Sequence, residues 1–316
     1  MRTRHALILL LCLAAGCGED GAELADVRLA LDFSPNAVHA GIYTAAEAQA
    51  DRRHGIGLEI RVPSGSADSL RLLETGRTDF ALVDIHDLGL ARERGFDVVG
   101  LGGVVQRPLA AVIARPGVAR PRDLEGARVG VTGLPSDEAV LRAAVEDDGG
   151  DYALVDRVTI GFSAVPSLIA GRVDAVVAFW NAEGVALRLR GVRTREFGVD
   201  DFGAPRYPEL VLATTRETLD AEPDLARRVL AALRDGTDAA LRRPDAAIER
   251  IVRASGADRG LVEAQFRAIA PALRPPLALD REALERWAQF DAAFGILRRA
   301  PDIDEAFPTE WSATRP

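Results

Sequence analysis

Two stretches nearly a hundred residues apart repeat one pattern, and that pattern constrains the fold more than any other feature. "SLRLLETGRTDFALVD" (69–84) and "VPSLIAGRVDAVVAFW" (165–180) each run from an apolar helical segment through Gly-Arg-x-Asp into a continuous apolar strand. Aligned on Gly76 and Gly171, Asp79 falls on Asp174, Asp84 on Phe179, and His86 on Asn181. The glycine supplies a helix stop where positive φ is cheap. Two copies are too few for a solenoid. They point to two lobes of similar topology, or to two unrelated helix-loop-strand units.

The surrounding sequence supports the two-lobe reading. "VRLALDF" reads as a strand, "AVHAGIYTAAEAQADRRHG" as a helix ending near Gly55, and "LEIRVP" as a second strand. The same alternation restarts with "RVGVTG", a helix over about 136–148 capped by Ser136, and "RVTIGF". Strand-helix alternation implies α/β lobes, each a mostly parallel sheet flanked by helices. "YPELVLATT" returns as a strand, and residues 216–294 read as mostly helical. "GLGG" at 100–103 lacks the strand, turn and helix context of a dinucleotide fingerprint and reads as a bend. The tail "APDIDEAFPTEWSATRP" has little periodicity and is expected to drape or fray.

The first residues carry a targeting pattern. "MRTRHALILLLCLAAGC" places two arginines before a short apolar run and small residues before Cys17. "LAAGC" is similar to a bacterial lipobox, which implies cleavage before Cys17 and its lipidation. The expected layout is a signal peptide over 1–16, a tether over 17–26, lobe 1 from 27–108 with 212–316, and lobe 2 over 109–211. The chain would then be exported and lipid-anchored to the outer face of a bacterial cell membrane, or periplasmic.

Composition excludes several functions. All 39 basic residues are arginine, so no side chain can form a Schiff base with a carbonyl substrate or pyridoxal phosphate. A net charge of −9 with no basic tract argues against nucleic-acid binding. No Gly-x-Ser-x-Gly elbow or His-Glu-x-x-His motif marks a hydrolase. No cofactor or metal is expected, and nothing calls for more than a monomer.

Ligands of open α/β sheets sit beyond the carboxyl ends of the strands. Between two such lobes that region holds Phe33 to His39, Asp84 to His86, and Trp180 to Glu183. Pro35 biases Ser34 away from helix, and Asn36 is a good N-cap. Asn36, His39 and Tyr43 fall within about 60° on one helical face. They either line the cleft mouth or serve as a cap with half-buried scaffold. Trp180 offers a flat stacking surface, and Glu183 can accept hydrogen bonds from an amino group. Asn181 lies between them, while Gln106 and Tyr207 fall in the segments that join the lobes. Asp137 and Glu138 in the first turn of lobe 2's first helix occupy the position an anionic ligand would want. That favours a neutral or amino-bearing ring.

At these residues the chain resembles the solute-binding proteins of ABC importers related to the fungal thiamine-pyrimidine synthases. "LDFSPNAVHAGIYTA", "GRTDFALVDIHDLGLARERG", "VVQRPLAAVIA", "FWNAEGVAL" and "YPELVLATT" are similar to the family's motifs and occur in its order. The resemblance implies a two-lobed periplasmic-binding fold of type II with two crossovers and an ABC permease as membrane partner. It implies a small heteroaromatic ligand, a thiamine pyrimidine precursor first and riboflavin or a sulfonate as the alternative. It places that ligand against Asn36, His39 and Tyr43 in one lobe and Trp180 and Glu183 in the other. Phe33 stands where the pyrimidine-precursor binders usually carry Trp. The synthases' lysine-bound pyridoxal phosphate and cysteine-rich iron motif have no counterpart, since the only cysteines are Cys12 and Cys17. An exported enzyme without that chemistry, using His39 or His86 with Asp84, is the less favoured alternative.

Overall fold

The computed structural model describes residues 24–64 and 68–308. The expected signal peptide, Cys17, most of the expected tether and the chain end beyond Pro308 lie outside them. Ten strands follow in order: β1 (Ala25–Ala30), β2 (Ile56–Arg61), β3 (Phe80–Asp84), β4 (Val98–Gly103), β5 (Ala110–Ala114), β6 (Arg128–Val131), β7 (Asp156–Thr159), β8 (Ala175–Phe179), β9 (Arg195–Gly198) and β10 (Leu210–Thr215). They form two five-stranded sheets, ordered β2-β1-β3-β10-β4 and β7-β6-β8-β5-β9. In the first, β10 runs antiparallel between β3 and β4. In the second, β5 runs antiparallel between β8 and β9. Each lobe is thus a mixed sheet in which the strand next to the edge comes from across the hinge. The chain passes between sheets twice, through residues 104–109 and 199–209.

The repeated pattern occupies equivalent places. Gly76 and Gly171 both take left-handed backbone, with φ of 64° and 68°. The Arg77 N–H donates to the Leu72 carbonyl, and the Arg172 N–H to that of Ser167. Each helix therefore ends in the same wrapped turn. Asp79 then accepts the backbone N–H of Arg28 on β1 at 2.8 Å, and Asp174 that of Arg128 on β6 at 3.0 Å. The register agrees as well: Leu29 pairs Phe80, and Val129 pairs Ala175. One short motif thus stops a helix and locks the next strand onto the first strand of its sheet.

Three readings need correction. "GLGG" is the end of β4, not a bend. A Cβ on Gly100 would lie 2.3 Å from the Phe307 ring, and one on Gly103 2.7 Å from the Ala278 carbonyl, so glycine here admits close neighbours to the strand. The helix after β1 breaks at Gln49, which takes φ of 58° between Ala40–Glu47 and Ala50–Arg53. The first helix of lobe 2 spans Pro135–Asp147 with Leu134 rather than Ser136 at its N-cap. Asp137 instead reaches back to accept the N–H and hydroxyl of Thr132, both at 2.6 Å. Of the tail, the described residues 300–308 drape rather than fray, because Phe307 is buried edge-on against Trp287 with ring centroids 5.8 Å apart.

Candidate functional site

The carboxyl ends of β1, β3, β6, β7 and β8 converge where the two sheets face each other. Closing this region on one side, helix Arg259–Ile269 of lobe 1 packs on Trp180–Gly184 and Val185–Leu189 of lobe 2. A cavity of about 540 Å³ lined by Arg92, Phe96, Asp97, Arg216 and Glu305 lies at the opposite end of the first sheet. Arg92 there pairs with Asp97 at 2.9 Å and with the Glu305 carboxylate at 3.6 Å, and the Arg216 guanidinium donates to the Glu305 backbone carbonyl at 2.7 Å. That cavity holds none of the sequence-derived candidates.

Leaving β1, the chain builds a reciprocal cap. Asn36, with φ of −150°, accepts the Val38 N–H at 2.9 Å, and its own N–H donates to His39 Nδ1 at 3.1 Å. This is the capping-box arrangement with His in the place of Glu or Gln. His39 Nδ1 is therefore the acceptor, and Nε2–H donates to Asp32 at 2.7 Å. The Asn36 amide is further tied to the Ser34 carbonyl at 3.1 Å. His39 is wholly buried, so the pair holds the loop of residues 32–36 in shape and leaves Phe33 projecting, 44% exposed. Tyr43 is half-buried against the helical core of lobe 1.

The second lobe presents its candidates on a single π-helical turn, Trp180–Gly184, which follows β8 directly. Such turns re-aim side chains relative to an α-helix and recur at functional sites. Glu183 reaches back to accept the Phe179 N–H at 3.1 Å. Burial holds its carboxyl above the usual range despite that bond. Asn181 is 4% exposed, and its Oδ1 meets no donor among the described residues. The Trp180 indole N–H donates to the Pro108 carbonyl at 2.9 Å, and the Arg107 guanidinium lies 5.5 Å from its ring centre. Its ring touches the cores of both lobes. Trp180 thus joins the π-turn to the first crossover.

Asp84 and His86 start the helix after β3, in the position that Phe179 and Asn181 hold after β8. Asp84 stands half-buried at the N-cap and accepts the His86 N–H at 2.8 Å. His86 faces inward: Nδ1 meets Asp291 at 2.8 Å and Nε2 meets the Tyr207 hydroxyl at 3.0 Å. Burial alone would lower its pKa, but the Asp291 carboxylate and its hydrogen bond prevail and raise it to about 10. His86 is an imidazolium at neutral pH, donating through both nitrogens. Gln106 donates to the carbonyls of Gly103 and Ala278 at 2.6 and 3.1 Å. His86, Tyr207 and the Gln106 amide nitrogen are thus engaged within the hinge, whereas Phe33 is exposed and Asp84, Trp180 and Glu183 are half-buried.

Sequence reasoning missed Glu209. It is buried beside the hinge and accepts the Leu109 N–H at 3.0 Å, while its backbone bonds Val105 and Ile85. Burial raises its pKa to about 7. One residue therefore stitches both crossovers together. Its only sequence signal is a carboxylate inside "YPELVLATT", where a strand is about to begin.

Two mixed sheets of this order, joined by two crossovers, define a periplasmic-binding-protein fold. The periplasmic aliphatic sulphonate binding protein SsuA from Escherichia coli superposes with a TM-score of 0.73 at 16% identity, over 88% of this chain and 94% of that one. The chain belongs to the NMT1/THI5-like family, which it matches over residues 36–247. It is 32% identical over 250 residues to the formylaminopyrimidine-binding protein of Halalkalibacterium halodurans, covering 77% of this chain and 76% of that protein. A putative thiamine biosynthesis protein of Haemophilus influenzae is 25% identical over 285 residues, covering 88% and 90%.

Proposed function

We propose that this protein is the extracytoplasmic solute-binding component of an ABC importer. It captures a small amino-bearing heteroaromatic compound, a thiamine pyrimidine precursor, between its lobes and passes it unchanged to a membrane permease. In this reading Cys17 carries the lipid anchor. The observation that carries the ligand class is the π-turn of lobe 2. It offers a buried acceptor without a partner, Asn181 Oδ1, and two residues further on a half-buried carboxyl, Glu183. An exocyclic amino group supplies the donor such an acceptor lacks, and a ring nitrogen can share a proton with a carboxyl whose pKa is raised. Trp180 walls the site at the hinge, and the Asn36–His39 cap fixes the opposite lip. The similarity to a formylaminopyrimidine-binding protein across both lobes supports the same class.

A sulfonate fits less well. The first helix of lobe 2 already has the Asp137 carboxylate at its amino end, bound to Thr132, so an anion would meet like charge there. Isothermal titration of the purified protein against formylaminopyrimidine, hydroxymethylpyrimidine, thiamine, riboflavin and taurine tests the proposal. Saturable one-site binding of an aminopyrimidine is expected. Binding of taurine alone would overturn it.

A further inference from the structure

Among the described residues only three aromatic side chains are exposed: Phe33 at 44%, Phe162 at 72% and Phe179 at 40%. All three stand at carboxyl ends of strands, three residues past β1, three residues past β7, and at the last position of β8. An exposed phenyl forgoes roughly 2 kcal/mol of burial. Confining every such ring to one region of a chain otherwise able to bury its aromatics marks that region as a contact surface. Phe33 and Phe162 come from opposite lobes, yet their ring centroids are 6.2 Å apart with planes 39° from parallel.

We propose that Phe162 is a ligand-contacting, specificity-determining residue that forms an aromatic clamp with Phe33, gripping a planar ring between the lobes. This rests on the reading of the ligand as a flat heteroaromatic. A ring in contact with both faces needs about 3.5 Å on each side, or about 7 Å between the outer rings. At 6.2 Å between centroids and 39° between planes the two phenyls touch each other directly, so a ligand ring takes its place between them only as the lobes part. Trp180 is poorly placed for the same task, since its N–H is committed to Pro108 and Arg107 lies over its ring. The clamp selects by shape, with each phenyl accepting a flat apolar face, while Asn181 and Glu183 read the polar edge. Phe162 stands in the short connection between β7 and the helix Ala164–Ile169, where the sequence reads as the end of the strand "RVTIGF".

The test compares wild type with F162A, F162L and F162Y by calorimetry against the pyrimidines, riboflavin and taurine. Ligand-free melting temperatures control for folding. The clamp predicts that F162A weakens binding of the preferred ring about ten-fold or more, that F162Y retains it, and that F162L stays close to F162A. Affinity of F162A within two-fold of wild type overturns the clamp. Full recovery in F162L also overturns it, because apolar cover without stacking would then suffice. If wild type binds riboflavin but no pyrimidine, the ligand assignment fails, and the same variants measured on riboflavin still decide the clamp. If wild type binds no flat ring of the set, clamp and ligand class fall together.

Discussion

His39 shows how one side chain can shape a site from beneath it. Its two nitrogens join the Asn36 N–H to Asp32, so the loop carrying Phe33 is fixed by an imidazole that never reaches solvent. Replacing it orphans a buried donor and loosens the cap, and H39A is expected to cost about 2 kcal/mol in chemical denaturation. A loss under about 0.5 kcal/mol would show that the cap is dispensable. Glu183 acts more directly: E183A should weaken ligand binding by more than about 1 kcal/mol while leaving the unfolding midpoint within experimental scatter. Unchanged affinity would place the ligand elsewhere. The helical spacing of Asn36 and His39 was readable in sequence, but their mutual bond was not, because cap and ligand contact call for the same polar residues. The partner of His86 was less accessible still, since Asp291 lies 205 residues away.

At the scale of elements, the Gly-Arg-x-Asp repeat is the unit from which both lobes are made. Its two copies differ in depth. Asp79 receives three bonds from Arg28, at 2.5 to 3.1 Å, whereas Asp174 holds one backbone bond and a looser 3.8 Å contact with the Arg128 guanidinium. D79A should therefore destabilise by about 2 kcal/mol and D174A by about 1 kcal/mol or less, measured on the same denaturant axis. Equal losses would contradict the ranking. Burial pushes the Asp79 carboxyl up, but its bonds to Arg28 outweigh this and leave it below the ordinary value. Its contribution is present above the unfolded pKa and is lost as pH falls through the folded one. The repeat could be read because it encodes local backbone geometry. The antiparallel strands β5 and β10 could not be placed that way, since nothing within them announces that each crosses from the other side of the hinge. "GLGG" misled for a related reason: its glycines answer to Phe307 and Ala278, distant in sequence.

For the whole molecule, the hinge gathers the buried titratable groups His86, Glu209 and Asp291. Glu209 and His86 both have folded-state pKa values above their unfolded ones, about 7 against about 4.3 and about 10 against about 6.5. For either group the favourable term is complete below the unfolded value and is lost as pH rises through the folded one. Stability should therefore fall for Glu209 between about pH 4 and 7, and for His86 between about pH 6.5 and 10. Denaturation midpoints followed from pH 6 to 10 should decline in wild type, and H86Q should flatten the upper part of that decline. A wild-type profile that rises across this interval would mean that His86 is not held as an imidazolium.

The central claim is that two lobes of like construction hold a flat aminopyrimidine and leave it chemically intact. Native mass spectrometry of the intact protein mixed with formylaminopyrimidine tests this most directly. A single one-to-one adduct is expected, and its released ligand keeps its starting mass after prolonged incubation. No adduct, or a released compound of altered mass, would contradict it.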